Sequence, residues 1–238
     1  MIQLKDYKVK AGGKLLFRAE RFSIEKGEIC FLVGKNGSGK STFLKSLIRH
    51  TAEEQTYLIE GKPSRSWTPK ELAKKIAYVP SKIQLNDFTR VEDFLMMGRY
   101  PYGKPFSGSS RQDEELVNQT LRLLQIEELR TQFIHQLSDG QQQLVSIGRA
   151  LVQEVDYLLL DEPTAFLDYY NKVRIFRLAE QLSREKNMGI IVVTHDIEYL
   201  VKRYDQITFI DTHSKTIVPL IQPANADLET IVKKIYGD

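Results

Sequence analysis

Residues Gly34-Lys35-Asn36-Gly37-Ser38-Gly39-Lys40-Ser41 follow the apolar run Ile29 to Val33 and precede a segment in which Phe43, Leu44, Leu47 and Ile48 recur with helical period. A strand, an octapeptide of the form G-x-x-x-x-G-K-[ST] and a helix, in that order, admit few folds. The glycines let the backbone turn tightly and aim several N–H groups inward. The helix N-terminus adds partial positive charge, so the loop suits a polyphosphate held mainly by main chain. In such a loop Lys40 reaches the β and γ phosphates and Ser41 is a ligand of Mg²⁺. The candidate ATP-binding residues are Gly34, Lys35, Asn36, Gly37, Ser38, Gly39, Lys40, Ser41 and Thr42. Background residue frequencies produce such an octapeptide by accident in about 1 chain in 100 of this length, and the flanking strand and helix reduce that further.

The rest of the chain alternates apolar, β-branched runs with segments of helical period, the pattern of a parallel sheet flanked by helices. Strands are expected at Leu15 to Ile24, Glu28 to Val33, Tyr57 to Ile59, Ile76 to Val79, Tyr157 to Asp161, Ile190 to Thr194 and Gln206 to Ile210. Ile29 to Val33, Tyr157 to Leu160 and Ile190 to Val193 are apolar at successive positions, as strands buried on both faces are, and should form the sheet centre. Thr68-Pro69-Lys70-Glu71 and Thr89-Arg90-Val91-Glu92 have the form of capping boxes. Further helices are expected after Gln141 and after Tyr169, and a terminal one carries Leu228, Ile231, Val232 and Ile235 on one face. Between Ser81 and Ser138 the strand signal disappears, which reads as an inserted helical subdomain. The expected organisation is one domain over 1–238: a core of 1–80 and 141–215, a helical part over 81–140, and a tail over 216–238.

Composition excludes several classes. Of 238 residues, 42% are hydrophobic and 27% charged, as in an ordinary globular protein rather than a disordered or fibrous one. The 34 basic and 31 acidic residues leave a formal charge of +3 without a strong basic cluster, so no nucleic-acid partner is expected. Cys30 is the single cysteine, which rules out an intramolecular disulfide framework and fits a reducing compartment. The N-terminus lacks an apolar core of signal-peptide length, and the longest apolar runs are too short to span a bilayer.

The second half of the phosphate site is expected far along the chain. Tyr157-Leu158-Leu159-Leu160-Asp161-Glu162 is an apolar strand ending in two carboxylates, and in open α/β sheets ligands collect at the carboxyl ends of strands. Asp161 is placed to coordinate Mg²⁺, and Glu162 to polarise the attacking water.

Leu137-Ser138-Asp139-Gly140-Gln141, then Leu160-Asp161-Glu162-Pro163-Thr164, Ala165-Phe166-Leu167-Asp168 and Thr194-His195-Asp196 occur in the order of the signature, Walker B, D-loop and H-loop segments of an ABC ATPase. The chain resembles that family over about residues 1 to 215. The resemblance implies an α/β P-loop NTPase with a mostly parallel central sheet, an N-terminal antiparallel β portion and the inserted helical subdomain. It implies ATP and Mg²⁺, catalytic roles for Glu162, His195 and Lys40, and metal contacts from Ser41 and Asp161. It also implies a head-to-tail homodimer in which Ser138, Asp139, Gly140 and Gln141 face the ATP of the opposite subunit and Asp168 crosses the interface. Met97-Gly98-Arg99-Tyr100-Pro101-Tyr102 is similar to a stretch in the ATP-binding subunits of importers for iron chelates, haem and cobalamin. The partners implied are transmembrane permease subunits and an extracytoplasmic substrate-binding protein, with the chain peripheral on the cytoplasmic side of the inner membrane. Tyr100, Tyr102 and Phe106 could form an apolar groove for a permease helix.

Three positions depart from the family pattern. Ala11 stands where an aromatic usually stacks on adenine, with Tyr7 or Phe17 as nearby substitutes. Ser81 stands where a glutamine usually touches Mg²⁺ and water, with Gln84 as a displaced candidate. Asp139 stands where glycine is commonest, and as a helix N-cap an Asp would be favourable by about 0.5–2 kcal/mol. These departures motivate a reading as an ATP-binding module with weakened hydrolysis. A soluble ABC ATPase of assembly or nucleic-acid metabolism is the other alternative.

Overall fold

The computed structural model describes residues 1–49, 57–83, 88–103, 110–201, 206–221 and 228–236. Gln84 and Phe106 lie outside them. In chain order the elements are β1 (Ile2–Ala11), β2 (Lys14–Ile24), β3 (Ile29–Val33), α1 (Lys40–Leu47), β4 (Tyr57–Ile59), β5 (Lys62–Pro63), α2 (Pro69–Leu72), β6 (Ile76–Val79), α3 (Val91–Met96), α4 (Arg111–Leu124), α5 (Asp139–Val152), β7 (Tyr157–Asp161), α6 (Tyr169–Lys186), β8 (Gly189–Val193), α7 (Ile197–Val201), β9 (Gln206–Asp211), β10 (Thr216–Ile221) and α8 (Leu228–Tyr236).

One sheet runs in the order β5-β4-β1-β2-β10-β9-β3-β8-β7-β6. Its β9-β3-β8-β7-β6 half is parallel, and β1, β2, β4 and β5 pair antiparallel. The three apolar runs read from the sequence are β3, β8 and β7, neighbours at the middle of the parallel half. They are apolar throughout because both faces are covered. Phe31, Val33, Leu158, Leu160, Ile190 and Val192 join one core with α3, α4, α5 and α6. The alternating Leu32, Leu159, Ile191 and Val193 face the other way, onto Phe43, Leu44 and Leu47 of α1 and onto the β1/β2 layer. Helix α1 therefore lies between two layers of one curled sheet, which fixes the loop before it at the carboxyl end of β3.

Strand β1 was not among the expected strands, and its pattern explains why. Ile2 and Leu4 face inward, then Tyr7 and Val9, so the buried set changes from even to odd positions across Asp6, which has φ 53°. On β2 the partners Ile24 and Phe22, then Ala19 and Phe17, make the same change. No single period of two survives along either strand.

The first expected capping box forms: Thr68 and Glu71 exchange side-chain and backbone bonds at the start of α2. The second does not. α3 starts after Arg90 with no side-chain cap, because the N–H groups of Val91 and Glu92 donate instead to the carbonyls of Gln132 and Arg130 at 3.0 and 3.1 Å. Tertiary contact supplies what the local motif would have supplied. α4 packs beside α3 on α5, so Val91, Leu95, Leu121 and Leu124 share a core with Leu144, Leu158 and Leu160.

Arg99 joins this helical part to the end of α5. Its Nε donates to Asp113 at 2.6 Å and its Nη1 to Glu154 at 2.6 Å and to the Val152 carbonyl at 2.9 Å. The guanidinium lies 3.9 Å from the centre of the Tyr102 ring, and the Tyr102 hydroxyl donates to the Gln153 carbonyl. Tyr102 is thus part of the clamp and not of an open groove, while Tyr100 is 87% exposed. Removing one partner of a buried, hydrogen-bonded ion pair strands the others, although the outer ends of this network reach solvent. Arg99→Ala is expected to lower the unfolding free energy by about 2–4 kcal/mol, read by chemical denaturation; an unchanged midpoint would contradict the clamp.

Candidate functional site

The loop from Gly34 to Gly39 leaves β3 and enters α1 through Gly39, whose φ of 103° and ψ of 12° place it in the left-handed region. A Cβ there would lie 2.8 Å from Leu16 Cδ1 and 3.2 Å from Phe17 Cε1, so only glycine lets the β2 layer close over the loop. Lys40 is 4% exposed, and its Nζ donates to the Gly34 and Lys35 carbonyls at 2.8 and 3.0 Å. Burial lowers the pKa of its ammonium, and the charges of Glu162 and Asp161 oppose that fall. Two carboxylates thus feel this lysine across a sequence separation of more than a hundred residues.

Asp161 ends β7 and is 4% exposed. Its Oδ1 accepts from Ser41 Oγ at 2.8 Å and its Oδ2 from the Tyr78 hydroxyl at 2.7 Å. Burial, then the Asp161 acceptor, pushes the Tyr78 phenol well above its ordinary value, so it stays a donor. Tyr78 was missed from the sequence because its place is set by the parallel register of β6 on β7, where Tyr78 lies opposite Leu159. Ser81 lies at the same end of the sheet, two residues past β6.

Glu162 has φ 50°, and its N–H donates to the Val193 carbonyl at 2.9 Å, which turns the chain sharply out of β7. The turn brings its Oε1 to 2.8 Å from His195 Nε2, just past the end of β8. Each of the two side chains is about one third exposed, at 36% for His195 and 30% for Glu162.

Helix α5 starts at Asp139, earlier than expected, and its N-cap is Ser138. The Ser138 Oγ accepts from the Gln141 N–H at 3.3 Å, and the Ser138 N–H donates to Gln141 Oε1 at 3.0 Å. Asp139 is therefore an exposed first-turn residue and not the cap, because the serine hydroxyl already fills that place; near the positive helix end its carboxylate is still favourable. Gly140 packs against Asn171, to which an added Cβ would come within 3.1 Å. Asn171 in turn donates through its N–H and its Nδ2 to Asp168, the N-cap of α6, at 2.8 and 3.0 Å. Among the described residues no hydrogen bond joins 138–141 to 34–42.

The residues fit a nucleotide triphosphate. Among the described residues Ser38 Oγ is buried in the loop with no hydrogen-bond partner, a spare donor within the phosphate loop itself. Ser41 and Asp161 offer hard oxygens. Two such ligands suit Mg²⁺, which keeps waters and phosphate oxygens as its other ligands.

Residues 17–165, more than half of the chain, match the family described as ABC transporter. The chain is 32% identical over 200 residues to the petrobactin import ATP-binding protein of Bacillus subtilis (strain 168), covering 84% of this chain and 79% of that one. Its fold is similar to that of a metal-chelate type ABC transporter in an inward-facing conformation, with a TM-score of 0.81 and 24% identity over 97% of this chain and 86% of the other. It is also similar to a dimeric ATP-binding cassette in a post-hydrolysis state bound to ADP and Pi, with a TM-score of 0.76 and 25% identity over 94% of this chain and all of that one.

Proposed function

Because this chain belongs to the ABC transporter family, we propose that it is the ATP-hydrolysing subunit of an importer for siderophores or other metal chelates, coupled to a separate permease. The observation that carries this reading is the meeting of Lys40, the Ser41–Asp161 pair and the Glu162–His195 pair at the carboxyl ends of β3, β7 and β8.

Gly34 to Thr42 hold the triphosphate, with Lys40 moving from the loop carbonyls to the β and γ phosphates. Ser41 and Asp161 would hold Mg²⁺, which when bound neutralises charge developing on those phosphates. Glu162 accepts a hydrogen bond from the attacking water and orients it, and His195 fixes Glu162 and contacts the γ phosphate. As the resemblance to the family implies, Ser138 and the N-terminus of α5 serve the nucleotide of a second copy, and two ATP molecules are enclosed by the pair of subunits; among the described residues no hydrogen bond ties them to their own loop. The intact Glu162–His195 contact favours turnover over a weakened binding module, despite Ala11, Ser81 and Asp139.

Among the described residues no helix is long and apolar enough to cross a membrane. Attachment to the cytoplasmic face of the membrane then comes through the permease, whose seat includes the exposed Phe88, Met97 and Tyr100 of the helical part. An extracytoplasmic binding protein delivers the chelate to that permease.

The test is steady-state hydrolysis of MgATP by the purified chain, alone and with the permease subunits co-expressed in detergent. Turnover changed by the permease, with Tyr100→Asp abolishing the change but not basal turnover, is expected. No hydrolysis in either preparation would overturn the reading.

A further inference from the structure

Asp196 follows His195, and its carboxylate gathers three elements. Oδ2 accepts from Thr164 Oγ1 at 2.6 Å and from Thr194 Oγ1 at 3.3 Å, and Oδ1 accepts from Lys172 Nζ at 2.5 Å. The Asp196 N–H donates to Thr194 Oγ1 at 3.1 Å, and the hydroxyls of Thr164 and Thr194 lie 3.4 Å apart. Both threonines are 1% exposed, so neither hydroxyl has water as an alternative partner.

The arrangement brackets the Glu162–His195 contact. Thr164 stands two residues after Glu162 on the turn leaving β7, and Thr194 and Asp196 stand on either side of His195 after β8. Lys172 lies in the first turn of α6, which Asp168 caps. Its N–H also donates to the Asp168 carbonyl at 2.9 Å. We propose that Asp196 is a positioning residue for hydrolysis: it fixes the separation of Glu162 and His195 and ties that pair to the start of α6, where Asp168 meets the second subunit. The inference rests on the ATPase reading above and extends it to a residue that touches neither substrate nor metal.

Its physical basis is a shared acceptor. A buried hydroxyl that loses its partner stays unsatisfied, so the two loops are held to one carboxylate and not merely packed together. A 1 Å displacement of a reacting group can cost about a hundredfold in rate without altering how substrate binds. Asp196→Asn keeps the shape but presents an N–H₂ group to one of three donors, and Thr164→Val removes a single bond to the same acceptor.

The experiment measures kcat and KM for MgATP in Asp196→Asn, Thr164→Val and the double variant. It adds thermal unfolding, and the positions of the His195 ring resonances by NMR at fixed pH without nucleotide. The expected result is a kcat lowered about 10- to 100-fold in Asp196→Asn with KM within about threefold. Thr164→Val shows a smaller loss, and the double variant is no worse than Asp196→Asn. The His195 resonances move in both single variants, and Asp196→Glu recovers part of the rate. A lowered melting temperature with unchanged kcat and unmoved His195 resonances would overturn the proposal, as would strict additivity of the two losses. Wild-type protein without ATPase activity would refute the ATPase reading instead, and the nucleotide-free resonances would still report on the bracket.

Discussion

Glu162→Gln is expected to lower MgATP turnover by about 10²–10⁴-fold while leaving nucleotide affinity within about threefold. The amide is nearly isosteric with the carboxylate and still reaches His195 Nε2, now 2.8 Å from Oε1, so the turn at φ 50° and its bond to Val193 are kept. What is lost is the negative acceptor that orients the water and takes up part of its positive charge in the transition state. In a loose phosphoryl transfer the ground-state contacts to the triphosphate lie elsewhere, on the loop and Lys40, which is why binding is spared. The lost rate corresponds to about 3–5 kcal/mol of transition-state stabilisation. Steady-state turnover beside equilibrium nucleotide binding checks it; a variant within tenfold of wild type would remove Glu162 from the chemistry.

Lys40→Met is expected to behave differently, losing both binding and turnover. Lys40 is 4% exposed, and among the described residues its ammonium is hydrogen-bonded to the Gly34 and Lys35 carbonyls and to no carboxylate, so it is poised inside the cradle. A hydrogen bond to a charged group is worth about 1.5–3 kcal/mol, so affinity should fall about 10- to 100-fold. Turnover should fall a further 10²–10³-fold, as when one donor to a developing oxyanion is removed. Methionine retains the aliphatic stem that packs in the loop but not the bonds to the Gly34 and Lys35 carbonyls, so thermal unfolding of the variant is measured beside its binding. Calorimetric titration with MgATP, beside the Glu162→Gln variant, separates the two roles: binding lost in one and kept in the other. Equal affinities would contradict the assignment.

The sheet centre and the phosphate loop were legible because both are local. Ile29–Val33, Tyr157–Leu160 and Ile190–Val193 are continuous apolar runs with no other use than burial on two faces, and an octapeptide with fixed glycines specifies its own turn. Asp161 and Glu162 were legible as the end of an apolar strand and His195 through the family resemblance, and they meet where parallel strands end together. Features that depend on two segments at once were not legible. The phase change of β1 at Asp6 breaks the alternation that marks a strand. β10 carries Pro219 inside its run and was read as tail, and its place in the sheet comes from a hairpin with β9. The cap of α3 is supplied by the carbonyls of Arg130 and Gln132, some forty residues on, which no local motif encodes. Tyr78 meets Asp161 through sheet register, and Asp196, quoted only as part of Thr194-His195-Asp196, gathers its donors through a shared acceptor, so neither set of contacts has a spacing in the sequence. The start of α5 was misplaced for a simpler reason: Asp139 and Ser138 are both good caps, and the choice between them is made by the box with Gln141.

The central claim is that one chain carries two halves of two different sites, with 34–42 and 161–195 serving its own nucleotide and 138–141 serving another's. Sedimentation velocity of Glu162→Gln with and without MgATP tests it most directly, because this variant holds nucleotide without consuming it. The account predicts a monomer that becomes a dimer containing two ATP molecules, and a return to monomer when Ser138→Arg fills the space at the start of α5. A Glu162→Gln chain that binds MgATP at saturation yet stays monomeric, or a dimer indifferent to Ser138→Arg, would contradict it.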